Sequence, residues 1–253
     1  MRLTLNIVVL TLAGCLSGAN FDHMHAEEEG AVPERVTFMS GDAKTALVGY
    51  VYKPRVAGSP RLPAVIMMHG RGGPYSTLAD GVYDATTLSL RHKAWGREWA
   101  QAGYIAILVD GFGPRGYAKG FPRFSYNSRP EELNEVTIRP LDAYGALAYL
   151  RSRADVIPDR IGLQGWSNGG SAAIATMSSD APGIAAPTPE TGFRAALVFY
   201  PACGLKGRFH PWQRTQRATG HPPRRHPGSD TRSYRHAAQL LRFFAAEGSS
   251  RSH

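Results

Sequence analysis

Small residues flank a serine in residues 165–170, directly after the apolar stretch 160–164. The serine is Ser167, and Gly165 and Gly169 stand two residues before and two residues after it. A strand-to-helix turn that exposes a serine needs small residues at these two places, because strand and helix approach closely there. The pattern therefore predicts a nucleophile elbow, with Ser167 as the nucleophile of an acyl-transfer reaction.

A second glycine-rich segment, residues 69–73, follows the apolar run 63–68. In acyl transfer the carbonyl oxygen becomes negative, and backbone N–H groups about 2.7 to 3.1 Å away stabilise that charge. We predict that Asn168, the residue after the nucleophile, supplies one N–H and that Arg71 or Gly72 supplies the other. The alternative is an ordinary glycine-rich turn and a chance serine match. The order of the two motifs at two strand ends favours an oxyanion hole.

The composition agrees with an enzyme of this size. The chain has 253 residues, of which 43% are apolar and 19% charged, which is enough apolar material for one sizeable core. Strand-like and helix-like runs alternate, which predicts an α/β fold with a mainly parallel sheet flanked by helices. The predicted strands are 36–38, 46–52, 63–68, 104–109, 160–164 and 195–200, and the predicted helices are 88–102, one that begins near Pro140, and 171–177. The residues expected to face inward on the Pro140 helix are Leu141, Tyr144, Leu147, Ala148 and Leu150.

The first 19 residues have the pattern of an export signal. A short basic start precedes the apolar run 3–12, which is too short to span a bilayer. Residues 12–15, Leu-Ala-Gly-Cys, then resemble a bacterial lipobox, which favours cleavage before Cys15 and a lipid on that residue. Ordinary secretion with cleavage after Ala19 is the alternative. Either route, followed by a polar tether over 20–34, predicts a periplasmic or membrane-anchored lipoprotein of a bacterium, without an intramolecular disulfide at Cys203.

Residues 35–210 resemble the dienelactone hydrolase branch of the α/β-hydrolase family. The likeness rests on the segments 69–73, 110–116, 139–143, 165–170 and 199–204. The resemblance implies the α/β-hydrolase fold, a small-molecule ester or lactone substrate, an acyl-enzyme that water hydrolyses, and no metal or organic cofactor. The best-known dienelactone hydrolases carry cysteine at the elbow. Ser167 departs from that pattern and favours a general carboxylic-ester hydrolase.

The segment 111–134 has no regular periodicity but is rich in aromatic and arginine residues. Long irregular loops in compact domains are usually functional or disordered, so we predict a lid over the site. Arg115 lies after a predicted strand and has two interpretations. It could pair with a substrate carboxylate, or it could hold the loop to the body of the protein, and we do not assign it to the site.

The catalytic acid and histidine cannot be identified in this chain. In the α/β-hydrolase fold they follow the serine, on loops after the late strands, and no strand pattern appears after residue 210. The formal candidates are His221, His226 and His236 for the base and Asp230 for the acid. None follows a recognisable strand, so we assign them no role. His69 lies upstream in the oxyanion loop, and we predict that it is structural.

The charge of the chain changes at the same place. Residues 204–253 hold ten Lys or Arg and two Asp or Glu, so a net +8 of the formal +9 lies there. Such a tail could bind nucleic acid or anionic lipid, or could be solvated. We favour a third hypothesis, a frameshift or internal deletion near residue 210, with residues 234–246 as the recovered final helix of the family.

This hypothesis has consequences for fold and function. Over 211–253 the chain would then lack or distort the last strands, and it would keep a nucleophile and an oxyanion hole without the base. The rival function is therefore a catalytically impaired member that retains only the substrate cleft. We expect no nucleic-acid partner, and membrane contact only through a lipid on Cys15. The oligomeric state is not set by the sequence.

Overall fold

The computed structural model describes residues 32–58, 60–122, 125, 129–178, 188 and 191–202. The predicted export signal, most of the tether, Cys203 and the basic tail with its candidate helix 234–246 lie outside the described residues. The predictions made for them therefore stay predictions.

Six strands form one mixed, mostly parallel sheet, with the order β1-β2-β4-β3-β5-β6. The first two strands pair antiparallel, β2 pairs antiparallel with β4, and β4, β3, β5 and β6 run parallel. The strands are β1 Glu34–Met39, β2 Ala46–Tyr52, β3 Leu62–Met68, β4 Ile105–Asp110, β5 Val156–Trp166 and β6 Ala196–Phe199. Helices cover both faces of this sheet, so the predicted fold class is confirmed.

Three helices supply the two apolar cores. They are α1 Leu90–Gln101, α2 Arg139–Ser152 and α3 Asn168–Thr176. The indole rings of α1 pack on one face of the sheet, and the apolar residues of α2 and α3 pack on the other. Strand β4 lies between the two cores and is buried at every position, as expected for a parallel strand with both faces covered.

The ends of the first helix follow local capping rules. The hydroxyl of Ser89 accepts a hydrogen bond from the N–H of His92 and caps the N-terminus. Gly103 follows the helix with φ 89°, a left-handed conformation that glycine adopts without steric cost. The predicted helix 88–102 ends directly before this glycine.

The structure corrects one residue of the predicted core and one strand boundary. Ala148 is exposed, because it lies about 160° around α2 from the fully buried Leu150. The alanines buried there are Ala143 and Ala146. Strand β5 begins at Val156, earlier than the predicted start at residue 160. The four residues after Val156 are half-buried or exposed, so this part of the strand has no apolar run.

Helix α2 approaches the hairpin of β1 and β2 very closely at a glycine. The N–H of Gly41 donates to the carbonyl of Leu141 at 2.8 Å. A Cβ added to Gly145 would collide with the carbonyl oxygen of Met39 and lie 2.8 Å from Cα of Ser40. The absence of a side chain at Gly145 is therefore a packing requirement, although glycine is a poor helix former.

We predict that Gly145→Ala lowers the free energy of unfolding by about 1 to 3 kcal/mol, because overpacking outweighs the gain in helix propensity. The matched control is Ala148→Gly on the exposed side of the same helix, which loses about 1 kcal/mol from propensity alone. Urea unfolding measures both. An increase in stability for Gly145→Ala would show that the helix does not approach the hairpin in this way.

Candidate active site

The backbone of Ser167 is strained. The residue joins β5 to α3 and has φ 51° and ψ −116°, a region that side-chain-bearing residues rarely adopt. Its N–H donates to the carbonyl of Phe199 in β6 at 2.9 Å. Strain of this kind persists only where the surrounding structure fixes it, and it concentrates at functional sites.

Two glycines make this turn possible. A Cβ on Gly165 would overlap the carbonyl of Gly169 and lie 2.8 Å from the nitrogen of Gly170. A Cβ on Gly169 would overlap the carbonyl of Met68 and lie 2.5 Å from that of His69. Both positions therefore exclude any side chain, as the spacing around Ser167 had indicated.

The loop 69–73 lies beside Ser167, and hydrogen bonds hold two successive peptides of this loop. A Cβ on Gly70 would lie 3.6 Å from Cβ of Ser167. The carbonyl of Gly70 accepts from the N–H of Gly73 at 3.1 Å, and that of Arg71 accepts from the N–H of Phe121 at 3.0 Å. In a trans peptide the C=O and N–H point in opposite directions, so these two bonds fix the N–H groups of Arg71 and Gly72.

Asn168 begins α3, so its N–H has no acceptor inside the helix. The first intrahelical bond runs from the N–H of Ser171 to the carbonyl of Ser167 at 2.9 Å. The free N–H groups and the dipole of a helix N-terminus favour negative charge. The structure thus brings Ser167, Asn168 and the loop with Arg71 and Gly72 together, although they are almost a hundred residues apart.

The side chain of Asn168 is tied to a buried arginine that the sequence did not single out. Arg139 is fully buried, and its Nη1 donates to Asn168 Oδ1 at 2.6 Å and to the carbonyl of His69 at 2.8 Å. Its guanidinium carbon lies 5.1 Å from the ring centroid of Phe112. The sequence feature that could have pointed to Arg139 is its place next to Pro140, at the start of a helix whose first half is mainly apolar.

His69 is structural, in agreement with the sequence-based interpretation. Its Nδ1 donates to the carbonyl of Gly70 at 2.7 Å, and its Nε2 accepts from the N–H of Gly111 at 3.3 Å. Burial and the positive charge of Arg139 hold the pKa of His69 well below its usual range. With both ring nitrogens engaged, this imidazole is not available to take the proton of Ser167.

His92 is the second histidine in the described part of the chain, and it is also buried. Its Nδ1 lies 2.8 Å from the carbonyl of Pro74, and its ring packs 5.4 Å from that of Trp166. Burial lowers the pKa of His92 to about 4. Within the described residues, neither histidine makes a hydrogen bond to Ser167.

The segment after β4 is anchored to the body through Arg115. The guanidinium makes two bonds to Asp142, at 2.8 and 2.9 Å, and a third to Asp42 at 3.0 Å. Its side chain is only 7% exposed. Arg115 therefore holds the loop, and of its two interpretations the substrate-carboxylate one is wrong.

The first part of the predicted lid packs on the oxyanion loop. Residues Gly113–Arg115 and Glu131–Leu133 form single 3₁₀ turns, which are too short to produce a periodic sequence pattern. A Cβ on Gly120 would collide with the backbone of Gly72. Together with the bond from Phe121, this contact makes the segment a support of the loop 69–73.

A separate groove of about 410 Å³ opens on the face of the sheet that α1 covers. At its deep end Tyr75 donates to Asp110 at 2.8 Å and is bonded to the hydroxyl of Tyr50 at 2.8 Å. Burial raises the pKa of the Asp110 carboxyl, against the opposing effect of its N–H and hydroxyl donors. The groove lies along β2, three strand spacings or about 14 Å from β5, and Ser167 does not line it. This groove is therefore distinct from the surroundings of Ser167.

The described residues contain neither a metal-binding cluster nor a membrane-spanning helix. No three His, Cys, Asp or Glu side chains there are grouped closely enough to bind a metal ion. In the same residues, no helix combines the length and the apolar character needed to cross a bilayer.

Comparisons with known proteins give remote relatives. No protein-family model matches the chain. It is 27% identical over 177 residues to the quorum-quenching protein AidA of Acinetobacter baumannii (strain MDR-ZJ06), covering 69% of this chain and 50% of AidA. It is 29% identical over 163 residues to YtaP of Bacillus subtilis (strain 168), a match that covers 60% of this chain and 50% of YtaP. YtaP carries the name of a hydrolase. The chain thus spans about half the length of the curated relatives it matches.

Among solved structures, the apo form of esterase 2 from Thermogutta terrifontis is 22% identical, with a TM-score of 0.46 over 76% of this chain and 64% of the esterase. The turn at Ser167, between the parallel strand β5 and α3, is the one expected of the α/β-hydrolase fold. The chain has an α/β-hydrolase fold. These relatives support the α/β-hydrolase superfamily as a whole and do not single out its dienelactone hydrolase branch.

We predict that His92→Asn reduces the loss of stability in acid. The pKa of His92 is about 4 in the folded protein and near 6.5 when unfolded, so its contribution is complete above pH 6.5 and disappears as the pH falls towards 4. Between pH 7.5 and pH 4.5 the variant should lose roughly 2 to 3 kcal/mol less than the parent, measured by urea unfolding. All other titratable groups are the same in both proteins, so their contributions cancel in the comparison. Equal losses of unfolding free energy in parent and variant would show that His92 is not buried in its neutral form.

Proposed function

We propose that this chain is built as a serine hydrolase that cleaves a carboxylic ester or lactone through an acyl-enzyme on Ser167. The observation that carries the proposal is the strained turn of Ser167 between β5 and α3, at φ 51° and ψ −116°. This turn presents a serine hydroxyl at the end of a parallel sheet, beside a helix N-terminus and a glycine loop. The same arrangement favours attack on a carbonyl carbon.

The described residues include groups that would stabilise the negative charge that develops in this reaction. Ser167 Oγ bonds to the carbonyl carbon, and the carbonyl oxygen becomes an oxyanion. The N–H of Asn168 and that of Arg71 or Gly72 are the proposed donors to this oxyanion. The serine proton passes to a base and then to the leaving alcohol, and water later hydrolyses the acyl-enzyme to the free acid.

The names of the curated relatives support hydrolysis in general. AidA is named for quorum quenching and YtaP as a hydrolase. We assign the chain to the dienelactone hydrolase branch, with carboxylic-ester hydrolase activity, on the segments that carry that resemblance. The elbow serine favours a general ester or lactone over dienelactone itself.

We further propose that the protein is exported, and that a lipid on Cys15 is its contact with the membrane. The support is the sequence of residues 1–19, with its basic start, short apolar run and lipobox-like tetrapeptide. Cleavage after Ala19 would release the same domain without a lipid.

The environments of the two described histidines, His69 and His92, support a second candidate function. In the described residues, both imidazoles are buried and engaged by backbone groups, and neither contacts Ser167. A chain without a base would be a catalytically impaired family member that retains only the cleft. Loss of triad members leaves about 10³ to 10⁴-fold catalysis over water in other hydrolases.

We predict that a fluorophosphonate probe labels the parent protein and not Ser167→Ala, because only an activated serine attacks the phosphorus. The matched control is Ser152→Ala at the exposed end of α2, which should label like the parent. Labelling is read by intact-protein mass spectrometry after circular dichroism has shown that each protein is folded. A folded parent that remains unlabelled rejects the serine hydrolase and supports the impaired member.

Sequencing of the coding DNA over codons 203–237, translated in three frames, identifies the source of the base. An apolar strand, an aspartate and a later histidine in another frame would support a frameshifted copy of an ordinary hydrolase. If no frame restores them, the basic tail is genuine and the frameshift hypothesis fails.

A further inference from the structure

Arg139 is a buried cation to which no carboxylate of the described residues is hydrogen-bonded. Its side chain is 0% exposed, and within the described part of the chain its Nε and Nη2 have no hydrogen-bond partner. Asp142 lies nearby, but its two oxygens are bonded to Arg115 and to Ser40. Burial lowers the pKa of Arg139 to about 10, so the group stays charged at neutral pH. A buried charge of this kind is costly, and stability alone does not explain it.

The single nitrogen of Arg139 that is bonded joins two separate parts of the chain. Nη1 donates to the carbonyl of His69, at the start of the oxyanion loop, and to Oδ1 of Asn168, at the start of α3. The carbonyl of His69 belongs to the peptide that carries the N–H of Gly70. With the bonds to the carbonyls of Gly70 and Arg71, three successive peptides of the loop are held.

We propose that Arg139 is a positioning residue that holds the two sides of the oxyanion hole at a fixed separation. This inference rests on the proposed serine hydrolase function. The N–H of Asn168 lies on one side, and those of Arg71 and Gly72 lie on the other. Donors to an oxyanion act without reorganisation only when both are fixed beforehand, and Arg139 is the side chain that bonds to both sides. Its positive charge also favours an anion in its neighbourhood.

Arg139→Met, which removes the charge and the donor, should lower kcat for a p-nitrophenyl ester and the rate of fluorophosphonate labelling by about 10- to 100-fold. KM should change by less than about threefold, because the donors act on the transition state. Arg139→Lys retains a charged donor and should recover part of the rate. The matched control is Arg153→Met, which removes a pair with Asp155 just beyond the opposite end of α2 and should leave the rate unchanged.

Asn168→Ala tests the same contact if Arg139→Met does not fold. It removes Oδ1 but retains the backbone N–H and the buried charge, and it should also lower kcat. In the Arg139→Lys background the alanine substitution should cost less than in the parent, since residues that act as one unit are not additive. Parent-like rates for folded Asn168→Ala and Arg139→Lys would overturn the inference.

A readout without catalysis separates this inference from the proposed function. If the folded parent does not react with the probe at all, the serine hydrolase proposal fails. The amide signals of Arg71 and Gly72, which none of the variants replaces, then test Arg139 alone in ¹⁵N NMR spectra. We expect them to shift and broaden in Arg139→Lys and Asn168→Ala and to remain unchanged in Arg153→Met. Unchanged signals in all three variants would overturn the inference.

Discussion

The rest of the site depends on a close backbone contact between β3, β5 and α3. The helix begins so near to β3 that Gly169 touches the carbonyls of Met68 and His69, and so near to β5 that Gly165 touches Gly169. No side chain fits at either glycine. Because the helix begins this close to both strands, the chain reverses within Ser167, which has a positive φ. The same contact brings the loop after β3 beside the serine, so the strained turn and the oxyanion loop are two results of one packing constraint.

Local sequence patterns predicted this constraint better than they predicted its surroundings. Small residues around a serine after an apolar run are a local signal, and so are the buried strands, whose apolar residues form continuous runs. The pattern misses the start of β5 because Pro158 and Asp159 interrupt the apolar run. Val156 pairs with Leu62, and the register between β3 and β5 shifts before Ile161. Ala148 was placed inside because alanine gives a weak signal: it is compatible with both faces of a helix. Single 3₁₀ turns, as at Gly113–Arg115, have no period to detect.

The side-chain bonds that support the site could not be read from the sequence. Arg115 bonds to Asp42 and Asp142, and Arg139 bonds to residues 69 and 168, so each link joins positions at least 27 residues apart. Sequence patterns leave Arg115 with two interpretations and Arg139 with none, yet the environments of the two side chains differ sharply. Arg115 takes both oxygens of Asp142, which leaves Arg139 without a bonded carboxylate. The distribution of two carboxylates and two arginines is therefore a tertiary property.

This distribution separates the two halves of the proposed chemistry. The groups that we propose to stabilise negative charge lie within the described residues: the loop 69–73, the start of α3 and the charge of Arg139. Activation of the serine does not, because His69 is held neutral between Gly70 and Gly111, and His92 is buried against Trp166. A general base must accept a proton, and the positive charge of Arg139 opposes protonation of His69. The arginine that favours an oxyanion therefore disfavours the imidazole of His69 as the base. Neither described histidine therefore serves as the proton acceptor of Ser167, and the anion-stabilising half can be intact whether or not such an acceptor exists elsewhere.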